Sequence, residues 1–287
     1  MSNCRQYPAF AEKLGFSRQS AYDTSDTLGL NTVGVALIDT STVISGGQPK
    51  TYRHPSWDDA GHLGPIVVDW DGNAYTVPTP KVALYNNPIE LQNRVMKIDS
   101  ATGVMTELLR LPTSVKPSQA NPYGTLGLTI DCETRSLYVA TVYGSDRDRE
   151  AGRIFRIDLS TSTPRITSEI DGVDAMGLAV FKGVGARRLY FGSVRTPLIR
   201  SVILDDKGDF YGGARDEASL AGVFGNGEDK ARRIAFTAGE MQIRGIEFNF
   251  NLEASREKTE NRYAFAYQAA TDSWKLTSVS AVEKSAQ

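Results

Sequence analysis

The 287-residue chain reads as an all-β protein of repeated four-stranded antiparallel units, and three observations carry that reading. A strand ending in Ile-Asp, or a looser copy of it, is followed by a Ser/Thr-rich turn in five places. A short apolar strand opening on glycine recurs upstream, with a second strand between the two. No long helical pattern competes, since only Ala9–Leu14 and Asp216–Ala221 look like short helical turns. Four-stranded units repeating at about 50–60 residues are the signature of a β-propeller. Six blades are expected, with five as the alternative. A β-sandwich is the main competitor, but it does not predict one strand order in successive units.

The repeats run in order along the chain. Val35–Val43 (VALIDTSTV), Arg94–Gly103 (RVMKIDSATG) and Arg153–Ser162 (RIFRIDLSTS) share one form, and Arg200–Gly208 and Ala264–Ser273 are looser copies. Their equivalent positions are Asp39, Asp99, Asp158, Asp205 and Gln268, spaced 60, 59, 47 and 63 residues apart. Alternation places Met96 and Ile98 on one face and Val95 and Lys97 on the other, as a half-buried strand requires. The terminal Asp suits a turn, because its carboxylate can accept from amides two residues on. A catalytic residue is needed once, whereas a turn is needed in every unit, so these aspartates read as turn formers.

Upstream, Gly64–Asp69, Gly127–Asp131 and Gly177–Phe181 are nearly continuous apolar runs, as in strands buried on both faces, and Gly245–Asn249 is a candidate fourth. Asn73–Val77, Ser136–Val142 and Arg188–Val194 follow the first three as second strands. Val104–Leu111 and Arg165–Ile170 are more polar fourth strands. The first unit has little room ahead of Asp39, and Glu253–Asn261 is a charged insertion where a strand is expected. The organisation expected is an N-terminal arm over 1–30 and one propeller domain over 31–287, closed by strands of both termini sharing a blade.

Composition narrows the partners. With 32 basic and 34 acidic side chains the net charge is −2, so nothing global draws nucleic acid or an anionic membrane. Apolar runs stop at four to six residues, far short of the roughly 20 that span a bilayer. Cys4 and Cys132 are too few for a zinc cluster or a disulfide framework. Two unrelated thiols are the simpler reading, and one bridge from the arm to the domain body is the alternative. Met1–Phe16 has no apolar segment of a signal peptide, so the chain is either intracellular or starts after a removed leader.

Gly61–Pro78, GHLGPIVVDWDGNAYTVP, resembles the six-bladed propellers of the gluconolactonase and senescence-marker-protein group and the related NHL-type repeats. Tyr123–Val142 and Asp174–Val194 share the pattern, and the resemblance spans roughly residues 60 to 250. It implies that catalytic members hold a divalent metal at the axial channel, through the residue before the glycine of certain innermost strands. Here those residues are Leu63, Leu126 and Met176, where the family has Glu, Asn and Asp. A hard cation such as calcium needs oxygen ligands, which these cannot supply. His62, Asn121 and Asp174 would rebuild a site only through a shifted register.

Other catalytic patterns are thin. His54 and His62 lack metal spacing, no G-x-S-x-G elbow occurs, and Gly183–Gly185 and Gly225–Gly227 read as loops. Arg147–Glu150 is a solvated hairpin tip, and Lys230–Arg233 (KARR) is a surface run, with anion contact as the lesser reading. In a propeller, residues flanking the innermost strand starts gather at one channel mouth. The ligand-binding candidates are therefore His62, Tyr123, Asp174 and Arg244. The loops Pro78–Asn93, carrying Leu84, Tyr85 and Ile89, and Tyr143–Ala151 are further contact candidates. The expected function is a non-enzymatic propeller that binds a ligand or protein partner, with no cofactor. The alternative is a lactonase-like hydrolase whose rearranged site takes Ca2+. A structural subunit self-associating through Glu253–Asn261 is a third reading. The resemblance favours an extracytoplasmic or secreted location over a cytoplasmic one.

Overall fold

The repeated aspartates close their turns by one local chemistry. Asp39 Oδ1 accepts from the Ser41 amide at 2.9 Å, and Asp158 Oδ1 from the Ser160 amide at 2.9 Å. Asp99 Oδ1 accepts from the Ala101 and Thr102 amides at 3.0 Å, and Asp205 Oδ1 from the Lys207 amide at 2.9 Å. Each carboxylate thus satisfies the amides that a reversing chain leaves unpaired. At Gln268 the backbone takes over, its carbonyl accepting from the Thr271 amide at 3.1 Å.

A computed structural model describes residues 4, 6–24, 34–41, 43, 46–79, 89–113, 115, 121, 123–223, 229–248 and 260–281. The chain divides into two compact units, Ser2–Thr125 and Leu126–Gln287. In the first, a helical turn α1 (Ala9–Lys13) precedes a three-stranded antiparallel sheet of β1 (Ala21–Asp23), β2 (Ala36–Asp39) and β3 (Lys50–Tyr52), in that order. A four-stranded sheet follows, in the order β4 (Leu63–Val68), β5 (Ala74–Pro78), β6 (Arg94–Ile98) and β7 (Met105–Arg110).

The second unit holds three more sheets of the same pattern. The first comprises β8 (Thr125–Asp131), β9 (Ser136–Thr141), β10 (Arg153–Asp158) and β11 (Arg165–Asp171). The next comprises β12 (Ala175–Lys182), β13 (Arg187–Ser193), β14 (Leu198–Leu204) and β15 (Phe210–Ser219). The last comprises β16 (Asp229–Thr237), β17 (Glu240–Glu247), β18 (Asn261–Gln268) and β19 (Ser273–Ala281).

The fold is an all-β propeller of five blades, the alternative to the six first expected. Each of the five repeat turns has one sheet, and it follows the next-to-last strand every time: β2, β6, β10, β14 and β18. The strands of the last two blades are long, with ten residues in β15 and nine each in β16 and β19. Every described sheet is drawn from consecutive strands, so the expected blade shared between termini is not seen among them.

Three further expectations need correction. Asp216–Ala221 is not a helical turn, because residues up to Ser219 belong to β15 and pair with β14. Gly245–Asn249 is not a first strand: Gly245 lies in β17, paired with Ala231 on one side and Asn261 on the other. Cys4 and Cys132 are both disulfide-bonded, and the chain has no third cysteine. Of the sequence features singled out, Gly225–Gly227, Leu84, Tyr85 and residues 253–259 lie outside the described residues. Ile89 opens a single 3-10 turn, Ile89–Leu91.

Each unit has its own core. In the first, Trp57 is fully buried and donates from Nε1 to the Gly103 carbonyl at 2.8 Å. Tyr52 meets it edge-on at 5.7 Å between ring centroids, and Phe10 of α1 does so at 6.2 Å. Such edge-to-face pairs suit the ring quadrupoles, and burying each large apolar side chain contributes roughly 1.5–3 kcal/mol. The N-terminal arm is therefore part of this core, since Phe10 packs in it and β1 pairs with β2. In the second unit Phe181, Tyr190, Phe236, Tyr267 and Trp274 form another aromatic cluster, with Trp274 Nε1 donating to the Tyr190 hydroxyl at 3.3 Å.

Candidate functional site

The glycines that open the first strands are there for space. A Cβ on Gly177 of β12 would lie 2.7 Å from the Ala231 carbonyl oxygen of β16, and one on Gly127 of β8 would collide with the Met176 carbonyl of β12. Neither glycine has a positive φ. Successive first strands of the second unit thus approach backbone to backbone, which only glycine permits. A β-bulge accompanies the approach in β12, between Ala175 and Leu178, and in β16, between Ala231 and Arg233. In the first unit β4 carries the same irregularity between Leu63 and Ile66.

The positions where the resemblance implies metal ligands fall at or beside these strand starts. Leu63 and Met176 are buried apolar side chains, at 4% and 3% exposure, and Leu126 lies in β8. They do not fit a calcium centre. Among the described residues no group of three or more His, Cys, Asp or Glu side chains is arranged to hold a metal.

Asp174, just before β12, is the best-defined polar residue of the candidate set. It is fully buried, and both carboxylate oxygens are occupied. Oδ1 accepts from the Ser145 hydroxyl and from the Gly152 amide at 2.9 Å. Oδ2 accepts from Arg195 Nε at 2.7 Å, with Nη2 at 2.5 Å. The Asp174 amide donates to Glu150 Oε1 at 2.8 Å. The same Arg195 guanidinium reaches the Arg147 carbonyl at 3.0 Å and the Arg149 carbonyl. The ion pair between buried Asp174 and half-buried Arg195 therefore clamps the loop from Tyr143 to Gly152 onto the start of β12. Its tip, Asp146–Glu150, is exposed, as expected of a solvated hairpin. Arg195 carries no local sequence signal that would tie it to Asp174, 21 residues earlier.

The other candidates stand in different surroundings. His62 is half-buried immediately before β4, and its carbonyl accepts from the Thr79 amide at 3.1 Å. Tyr123 is buried two residues before β8, its amide donating to Asn121 Oδ1 at 3.0 Å. Burial pushes its phenol above the ordinary value. Arg244 was expected beside a first strand but lies in β17, a second strand, where it is exposed and pairs with Glu260 Oε2 at 3.2 Å. Asp174 and Arg244 thus have different ion partners. His54 serves a turn, its Nδ1 accepting from the Ser56 amide at 3.1 Å.

No protein-family model matches the chain, and no curated protein matches it in sequence. Solved structures do resemble it in shape. A Lactobacillus plantarum protein superposes with a TM-score of 0.53 at 8% identity, over 87% of this chain and 63% of that one. A putative 6-phosphogluconolactonase from Bacteroides uniformis gives 0.47 at 10% identity, over 88% and 80%. The periplasmic gluconolactonase PpgL of Pseudomonas aeruginosa gives 0.37 at 14%, over 73% and 83%. The chain spans less than two thirds of the Lactobacillus protein. Likeness at such identities speaks to the fold alone.

Proposed function

We propose that the protein is a non-enzymatic β-propeller that binds a ligand or protein partner through the loops joining its strands, outside the cytoplasm. The observation that carries this reading is the state of Asp174. Its two oxygens already accept from Ser145, Gly152 and Arg195, so the carboxylate is committed to holding a loop. A rearranged lactonase site would need those same oxygens for its metal, since Leu63, Leu126 and Met176 offer no oxygen ligand. The bonded cysteines support an oxidising compartment. No helix among the described residues is long and apolar enough to cross a membrane.

The test is turnover. Protein dialysed against calcium or zinc is offered sugar lactones and phosphoesters, beside a His62→Ala variant. The binding reading expects rates at the uncatalysed background for both proteins. Saturable hydrolysis that needs the metal and is lost in His62→Ala would establish the hydrolase instead.

A further inference from the structure

The last blade carries a charge pattern that sheet stability alone disfavours. In the register of β16, β17 and β18, Arg233 lies directly opposite Arg244, and Arg244 directly opposite Arg262. Residues directly opposite share one face, and like charges so placed are destabilising. All three are exposed, while Met241, Ile243 and Tyr263, at the alternating positions, are buried. The arginines therefore stand abreast on the outer face. The β16 bulge adds Arg232, also exposed, beside the row. Arg233 registers this crowding: its charge is disfavoured first by partial desolvation, then by Arg232 and Arg244, against a smaller opposing pull from Glu260. Among the described residues the one carboxylate paired with the row is Glu260, on Arg244.

The ground beside the row is low and uncharged. Two residues along each strand on the same face, Ala235, Gln242 and Ala264 lie opposite one another. On β19, Ser280 and Ser278 stand opposite Arg262 and Ala264, both exposed. Strands about 4.8 Å apart spread three guanidinium stems over roughly 10 Å. One carboxylate engages one of these forks, as Glu260 does. A ligand with two or more linked phosphate or sulfate groups matches the whole row, because each group offers several acceptor oxygens to a planar guanidinium.

We propose that this outer face of the last blade, built on Arg233, Arg244 and Arg262, binds an oligoanion whose phosphate or sulfate groups lie along the arginine row. The inference goes beyond the proposed function, standing on the strand register of the last blade and not on the absence of catalysis. Turnover in the assay above would leave it standing.

The probe is inorganic tripolyphosphate, titrated by calorimetry into the full chain at low salt, with orthophosphate and inorganic sulfate as single-group controls. Saturable binding with a stoichiometry of about one is expected, at least roughly tenfold tighter than either control. Arg233→Gln and Arg262→Gln should each weaken it about tenfold, and affinity should fall steeply with added salt. Both variants should unfold at or above the wild-type midpoint, since a like-charge contact is removed. That separates a ligand role from a structural one without disturbing the Arg244–Glu260 pair. Binding of tripolyphosphate no tighter than orthophosphate, or unchanged in the Arg233→Gln/Arg262→Gln double variant, would overturn the proposal. So would the absence of saturable binding.

Discussion

Asp174 and Arg195 show how one residue pair can hold a loop that contains no regular structure. Removing one member of a buried ion pair leaves the other charged and unpaired, which costs about 3–5 kcal/mol. Arg195→Ala, which strands the buried carboxylate, should destabilise the chain by that order, and Asp174→Ala, which leaves the half-buried Arg195 within reach of solvent, by less, measured by urea unfolding. The double variant should lose much less than the sum, because the two losses describe one interaction. Strict additivity would mean the clamp is not a unit. The turn aspartates act differently, through pH. Asp39 is held below the usual carboxylate range by the Ser41 side chain and then the Ser17 and Ser41 amides. Asp158 is lowered by the Ser160 hydroxyl and amide against some burial. At Asp99 burial pushes upward but is outweighed by Thr102 and the Ala101 amide. A carboxylate whose folded value is depressed contributes stability that is present above its unfolded value, about 3.9, and lost as pH falls through the folded one. The urea midpoint should therefore hold between pH 7 and 5 and drop below about 4. Asp158→Asn should be less stable at pH 7 and show a shallower acid decline. A decline already complete at pH 5 would assign the acid sensitivity to other groups.

At the level of the strand, space between blades sets the sequence. A Cβ at Gly177 would meet backbone, which cannot step aside as a side-chain tip can. Gly177→Ala and Gly127→Ala should each destabilise by about 1–3 kcal/mol, the usual cost of forcing bulk into a packed core. Gly185→Ala, where nothing lies within 4 Å, should stay within about 0.5 kcal/mol of wild type. Equal midpoints for Gly177→Ala and Gly185→Ala would refute the close approach. Much of this level was legible in the sequence, because Ile-Asp turns and opening glycines recur under the same physical demand. The short runs at Ser136–Val142 and Arg165–Ile170 appear as β9 and β11 within one or two residues. What misled was local composition. Asp216–Ala221 has helix-compatible residues, yet it ends an irregular strand with two register shifts. Lys230–Arg233 read as a surface run, but it opens β16, with Lys230 and Ala231 buried and Arg232 and Arg233 exposed. Gly245 copied the first-strand pattern inside a second strand. Neither the Asp174–Arg195 pair nor the arginine row could be seen along the chain, because both are products of register and loop closure.

For the molecule as a whole, the five sheets account for its architecture and the cysteines add a covalent restraint. A bond closing a long loop restricts the unfolded chain, an effect of typically 2–4 kcal/mol. Cys4→Ser/Cys132→Ser should lower the unfolding midpoint accordingly, and a reductant should lower that of the wild type but not of the variant. A midpoint indifferent to reductant in both would remove the disulfide from the account of stability. Asp174 is proposed to serve as a loop clamp and not as a metal ligand, since both its oxygens are taken by Ser145, Gly152 and Arg195. The direct measurement is metal content after chelation and equilibrium dialysis against calcium, for wild type, His62→Ala and Asp174→Ala. A clamp role for Asp174 predicts no stoichiometric calcium in the wild type, with Asp174→Ala less stable whether or not calcium is present. One tightly held calcium per chain, lost in both variants, would contradict it.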